Sequence, residues 1–254
     1  MYGYGGFYKK PTMAQMSSQA ARQIRDAAKR GEDWAPIHVR SARGPLASSW
    51  WGQAWCDNLE SYADFENRVA RGKRYVRSDA VLDLKIEKGL VRAKVLGSRG
   101  APYMTEIEID PLPPERLEEL ISRCGSRAKD LDSLVNGEFP EDLKHVFYDE
   151  GGLFPSPDEI AFGCSCPDWA IMCKHVAAVL YGIGVRFDDD PTLFFRLRGI
   201  DPGIFIETAV KNRLESMLEN ADKPSPRIMD DSSWQELFGL ELASGGMPEA
   251  GVHM

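Results

Sequence analysis

The most regular hydrophobic pattern in this chain is the partial alternation of half-buried strands. Val81, Leu82, Leu84 and Ile86 are followed by Val91, Ala93 and Val95, with Lys88-Gly89 supplying a tight turn between the two runs. The pattern predicts strands at 73–76, 80–87, 90–96 and 103–109, the second and third forming a hairpin. In the last of these, Ile107 and Ile109 alternate with Glu106, Glu108 and Asp110. Ahead of the strands, Trp51, Trp55 and Leu59 recur at i, i+4, i+8 on a helix that Ser48-Ser49 can cap. A thinner face of Ala20, Ala21, Ile24, Ala27 and Ala28 predicts a helix over 15–29. Arg22, Arg25, Lys29 and Arg30 surround it, so its expected docking is loose.

Beyond the strands the period lengthens. Pro113-Pro114 with Glu115 suits a helix start. Helical spacing runs through Leu117, Leu120 and Ile121, then Leu131, Leu134 and Val135, then Leu143, Val146 and Phe147. A short strand at 159–164 precedes a helix over 175–183 that ends at Gly182 or Gly184. Asp190-Pro191 opens a helix through Leu193, Phe194 and Leu197, and another is expected over 205–220. The resulting fold class is α+β: a small antiparallel sheet with helices, then a helical region, then a disordered acidic tail. The expected divisions are 1–46 (basic, partly mobile), 47–112 (helix and sheet with a basic face), 113–221 (helical) and 222–254. Within the tail, Trp234, Leu237, Phe238 and Leu240 form a short amphipathic segment suited to docking on a partner protein.

Composition narrows the class. The chain has 254 residues, 43% hydrophobic and 28% charged, ordinary for a globular protein. No apolar run approaches the roughly 18 residues of a spanning helix, and the Tyr- and Gly-rich opening lacks a signal-peptide core. The expectation is a cytoplasmic protein without a membrane partner. The net charge of −8 hides a split: residues 1–100 carry 18 basic and 10 acidic side chains, the remainder 13 and 29. Nucleic acid therefore stays open as a partner.

Three of the five cysteines fall within ten residues, in Cys164-Ser-Cys166-Pro-Asp-Trp-Ala-Ile-Met-Cys173-Lys-His175. Cys164 and Cys166, two apart at a strand end, project to one side. Cys173 and His175 fall at a helix start, where the dipole favours thiolate. Three sulfurs and one imidazole make the closed tetrahedral set of structural zinc. A redox Cys-x-Cys pair would need neither Cys173 nor His175. A catalytic zinc needs an open position, and the His-x-Glu of zinc deaminases is missing, since Val176-Ala177 follows His175. Soft thiolates favour zinc over magnesium or calcium. Lys174 partly offsets the remaining negative charge.

Cys-x-Cys, six residues, then Cys-x-His resembles the SWIM zinc finger. The likeness extends to Trp50-Trp-Gly-Gln-Ala-Trp-Cys-Asp-Asn-Leu-Glu, Arg71-Gly-Lys-Arg-Tyr-Val-Arg, Gly97-Ser, Cys164 to Tyr181 and Phe194-Phe-Arg-Leu-Arg-Gly. Together these resemble the stand-alone bacterial SWIM zinc finger proteins over roughly residues 1–205. The resemblance implies a ββα finger at 159–184 with Cys164, Cys166, Cys173 and His175 as ligands. It also implies DNA binding or protein–protein interaction in nucleic-acid metabolism.

A second feature is basic. Ten Lys and Arg lie between Arg68 and Arg99, against Asp79, Asp83 and Glu87. Arg68, Arg71, Lys73, Arg74, Arg77, Lys85, Arg92 and Lys94 are the candidate phosphate contacts, with Tyr75 placed to stack on a base. A solvated sheet face is the bland alternative. Asp188-Asp-Asp190 fits a helix-capping turn better than a metal site. No phosphate-binding Gly-x-x-x-x-Gly-Lys-Ser/Thr loop and no Ser-His-Asp arrangement is visible, so an enzyme is not expected. The expected function is a zinc-binding, nucleic-acid-binding accessory factor, on DNA rather than RNA, with a helicase or remodelling ATPase as a partner. The alternative is an adaptor using the finger and the Trp234 segment without touching nucleic acid.

Overall fold

A computed structural model of the chain describes residues 10–41, 43–60, 66–97, 100–124 and 152–201, with scattered positions between 203 and 218. The periodic segments at 131–135 and 143–147 and the whole 222–254 tail, with Trp234, Leu237, Phe238 and Leu240, lie outside the described residues. Residues Met1–Asn212 form one unit and Arg213–Met254 a second. In the second, the described positions Leu214, Glu215, Met217 and Leu218 are helical.

The first unit is α+β. Its sheet has four antiparallel strands in chain order: β1 (Val81–Glu87), β2 (Leu90–Val95), β3 (Tyr103–Ile109) and β4 (Ile160–Cys164). The β1–β2 hairpin turns at Lys88-Gly89 as expected, Gly89 taking φ +69°, a left-handed conformation that glycine adopts without penalty. Register pairs Val91 with Ile107 and Ile109 with Ile160, so one face is apolar and packed.

Helices α1 (Met13–Lys29), α2 (Trp50–Glu60) and α3 (Glu66–Arg77) precede the sheet, and α4 (Pro114–Cys124) follows β3. After β4 come α5 (Lys174–Asp189) and α6 (Leu193–Leu197). α1 starts at a capping box of Thr12 and Gln15 and seats Met16 and Ala20 against Ala80, Leu82 and Leu96. The stretch expected as a first strand, Lys73 to Val76, is helical. Val69, Gly72 and Val76 follow the helical period of α3, and Gly72 lets that helix close on α5, where a Cβ would stand 2.6 Å from the Ala177 methyl.

α5 is the hub. Twelve of its sixteen residues are buried, the mark of a helix enclosed on all sides. It packs on α2, α3 and β1. It also runs six residues past its expected end, because Gly182 and Gly184 are points of close approach rather than stops. A Cβ on Gly182 would lie 2.9 Å from Leu84 Cδ1. Trp55, fully buried on α2, donates from Nε1 to the Leu180 carbonyl (3.0 Å) and meets Phe154, Phe187 and Phe194 edge-on. The tryptophan stripe is therefore core.

Candidate metal centre and the basic residues around it

Cys164 ends β4 opposite Thr105 of β3, whose hydroxyl donates to its Sγ (3.5 Å). The chain then turns through Pro167-Asp168 and returns at Cys173, which caps α5 by accepting the Val176 N–H (3.5 Å). His175, on the first turn of α5, points Nδ1 at Cys164 Sγ and Cys173 Sγ, 3.8 Å from each. The donor atoms of Cys164, Cys166, Cys173 and His175 all lie within 4.8 Å of one another. Zinc–sulfur bonds of about 2.3 Å and zinc–nitrogen bonds of about 2.0 Å in a tetrahedron need donor separations of roughly 3.6–3.8 Å. The four residues fit zinc.

Their electrostatics fit as well. A hydrogen bond from Cys173, opposed by burial and aided by His175 and Thr105, holds the Cys164 thiol well below the ordinary thiol range. The same contact with Cys164, with burial added, pushes Cys173 up. Without a cation the cluster thus concentrates its negative charge on Cys164. A divalent metal removes that restriction and draws the remaining protons off. His175 is buried between Tyr75 (centroids 5.3 Å apart, edge-on) and Tyr103 (4.7 Å). Its Nε2 has no hydrogen-bond partner among the described residues, so aromatic packing rather than a carboxylate orients this ring.

The sequence matches the SWIM zinc finger family over residues 163–182. Residues 163–182 are a SWIM zinc finger. The family binds zinc, and the cluster of Cys164, Cys166, Cys173 and His175 fits it, at the residues that the spacing had pointed to. The chain is also similar to the uncharacterized protein Rv2102 of Mycobacterium tuberculosis, 38% identical over 165 residues. That match spans 64% of this chain and 59% of the relative. No solved structure matches.

The SWIM finger is not a local ββα unit, as the resemblance implied. Between Cys166 and α5 there is no strand; β4 finds its antiparallel neighbour in β3, some fifty residues earlier. The metal therefore ties the sheet edge directly to the central helix.

The basic candidates divide into two groups. Several are matched by carboxylates. Arg68 reaches Asp168 of the zinc loop (2.8 Å), and Lys73 reaches Glu60 (2.7 Å). Arg92 bridges Glu87 and Glu106, while Lys94 sits near Asp83 and Glu32 and over the Trp34 ring. With Glu106 and Glu108 exposed beside Lys85 and Arg92, the sheet face is mixed in sign rather than basic. Arg77 donates to the Gly44 carbonyl. The others are not matched. Arg71 is exposed on α3, and Arg74 donates to the Pro11 carbonyl; neither has a carboxylate partner among the described residues. Tyr75 is half-buried against His175, with the Lys174 ammonium 5.9 Å from its ring centroid. Arg71, Arg74, Tyr75 and Lys174 line one hollow together with Lys10 and Gln19.

Two side chains of the zinc loop were missed. Trp169 is 82% exposed and Ile171 72%. The available signal was their alternation between Cys166 and Cys173 with Ala170 and Met172, which the loop turns inward. The aspartates are structural: Asp188 accepts from the Ser48 and Ser49 N–H groups at the start of α2, Asp189 pairs with Arg40, and Asp190 accepts from Thr192.

Proposed function

We propose that this SWIM zinc finger protein is a nucleic-acid-binding accessory factor without catalytic activity, acting in the cytoplasm on DNA beside a helicase or remodelling ATPase. The observation that carries this reading is the gathering of Lys10, Arg71 and Arg74, which pair with no carboxylate among the described residues, beside Lys174 on one surface next to the finger, whereas Arg92 and Lys94 of the sheet are matched. Cations already paired gain little by meeting a phosphate. Unpaired ones release counterions and supply affinity. On this reading the phosphate contacts come from Lys10 ahead of α1, from α3 and from the start of α5, not from the sheet.

Fluorescence anisotropy of zinc-loaded protein against labelled single- and double-stranded DNA tests this. Four phosphate contacts give a slope of log affinity on log salt of about −3 to −4. Arg71→Ala with Arg74→Gln weakens binding and flattens that slope by about two contacts' worth, whereas Arg92→Gln changes neither. Absence of binding at low salt overturns the reading.

A second reading, a protein adaptor, is favoured by one observation: Trp169 and Ile171 present an apolar pair at the tip of the zinc loop. On that reading Trp169→Ala with Ile171→Ala abolishes a protein association and leaves DNA binding untouched.

A further inference from the structure

The unmatched cations do not lie on a flat surface. They border a cavity of about 590 Å³ between α1, α3 and the start of α5, within the size range of small-ligand sites. Buried Met16 and Leu96 give it apolar surface, and the half-buried Tyr75 ring forms part of the wall. Lys10, Arg71, Arg74 and Lys174 supply four positive charges, and among the described residues no carboxylate lines it. The carboxamide of Gln19, on the exposed side of α1, makes no hydrogen bond within the described residues.

We infer that this cavity binds one nucleoside phosphate, with the phosphate held by the Arg and Lys side chains and the base lodged against Met16, Leu96 and Tyr75 within reach of Gln19. A purely electrostatic strand-binding surface needs no hollow, and an apolar pocket for an uncharged ligand needs no cluster of unpaired cations. A planar heterocycle joined to a phosphate uses both. As the place where a DNA strand inserts one nucleotide, the site rests on the nucleic-acid reading above. As a receptor for a free nucleotide it does not.

The test uses zinc-loaded full-length protein, with labelled oligo(dT) as the strand and dAMP, dTMP and inorganic phosphate as free competitors. Direct binding of each competitor is measured by calorimetry. Gln19→Trp fills the cavity from an exposed helix position, and Arg71→Glu, also exposed, reverses one charge at its border; circular dichroism verifies that both fold. The inference expects saturable mononucleotide binding, at least tenfold tighter than inorganic phosphate, and at least tenfold weaker in either variant. It further expects the mononucleotide to displace oligo(dT). Mononucleotide binding without any strand binding keeps the cavity and removes the nucleic-acid reading. Strand binding indifferent to both the mononucleotides and Gln19→Trp overturns the cavity and keeps that reading. Inorganic phosphate binding as tightly as the nucleotides overturns the base slot.

Discussion

Gly52 and Gly184 meet backbone to backbone where α2 crosses α5. A Cβ on Gly184 would stand 2.9 Å from the Gly52 carbonyl oxygen and 2.7 Å from Cys56 Sγ, and a Cβ on Gly52 would stand 2.7 Å from the Gly184 carbonyl oxygen. Alanine normally gains about 1 kcal/mol over glycine inside a helix. Here the Gly52 carbonyl is main chain and the Cys56 thiol is buried in the core, so neither swings aside and the overlap outweighs that gain. Gly184→Ala is expected to lower stability by about 1–3 kcal/mol, read from the denaturant midpoint of the zinc-loaded protein. An unchanged or raised midpoint would show that the helices can separate at no cost.

The same crossing explains what was legible in the sequence. The strands at 81–87, 90–95 and 103–109 announce themselves because each shows its alternation locally. The metal ligands do so because four donor types at fixed spacing have few other uses. Gly182 and Gly184 imitate a helix stop, since glycine's role in close packing depends on a partner far away in the chain. Lys73 to Val76 reads as a strand for a related reason: Gly72 breaks the apolar stripe of α3, and only Ala177 on α5 explains it. The basic stretch shows its composition but not its pairing. Glu60, Asp168 and Glu106, which match Lys73, Arg68 and Arg92, come from other elements.

Zinc removal is expected to affect the whole first unit rather than the finger alone. The ligands join β4 to α5, and α5 carries the packing of α2, α3 and β1. Trp55 reports on this directly, since its indole N–H is bonded to the Leu180 carbonyl of α5. Chelation should therefore red-shift tryptophan emission and reduce far-UV helicity in one transition, reversed by added zinc. Loss confined to residues 165–173, with Trp55 still buried, would contradict this.

Thiol reactivity follows from the same cluster. Burial, with Asp57 and Glu60 nearby, pushes Cys56 up to about 12, so it stays unreactive toward alkylating agents near neutral pH. Brief alkylation followed by peptide mapping should leave Cys56, Cys164, Cys166 and Cys173 unlabelled in the zinc form and label all four once chelation unfolds the unit. Because Cys173 must lose a proton that Cys164 helps it retain, zinc binding should release protons and tighten as pH rises. A pH-independent zinc affinity between pH 6 and 8 would refute the shared-proton arrangement.

Arg68 and Asp168 form a strap across the zinc loop. Both side chains are largely buried, their 2.8 Å contact ties α3 to the turn between Cys166 and Cys173, and the Ala170 N–H also reaches Asp168 (3.4 Å). Asp168→Asn leaves the Arg68 guanidinium inside without a counter-charge, a change worth about 1–3 kcal/mol. The ligands are untouched, so the variant should still bind one zinc. Its zinc dissociation to a chelator should be faster by about tenfold, as the loop opens more often. Dissociation at the original rate would mean that the four ligands alone hold the loop.

Arg198 anchors the other end of the sheet. Its guanidinium is fully buried, donates to the Asp110 carbonyl (2.7 Å) and pairs with Glu159 (3.2 Å), which also holds Arg116 (3.0 Å). Burial works to raise the Glu159 carboxyl, but the Ser156 N–H and the two guanidiniums outweigh it and leave the group below its ordinary value. A carboxyl lowered by folding stabilises the fold fully above its unfolded value of about 4.3 and loses that contribution as pH falls through the folded value. Glu159→Gln should therefore cost stability at pH 7 and little at pH 3, so that the two unfolding curves converge on acidification. Arg198→Ala is the harsher change, at about 3 kcal/mol, since it strands the carboxylate and empties a core position. A constant gap between wild type and Glu159→Gln from pH 7 to pH 3 would show that the carboxylate's charge contributes nothing there.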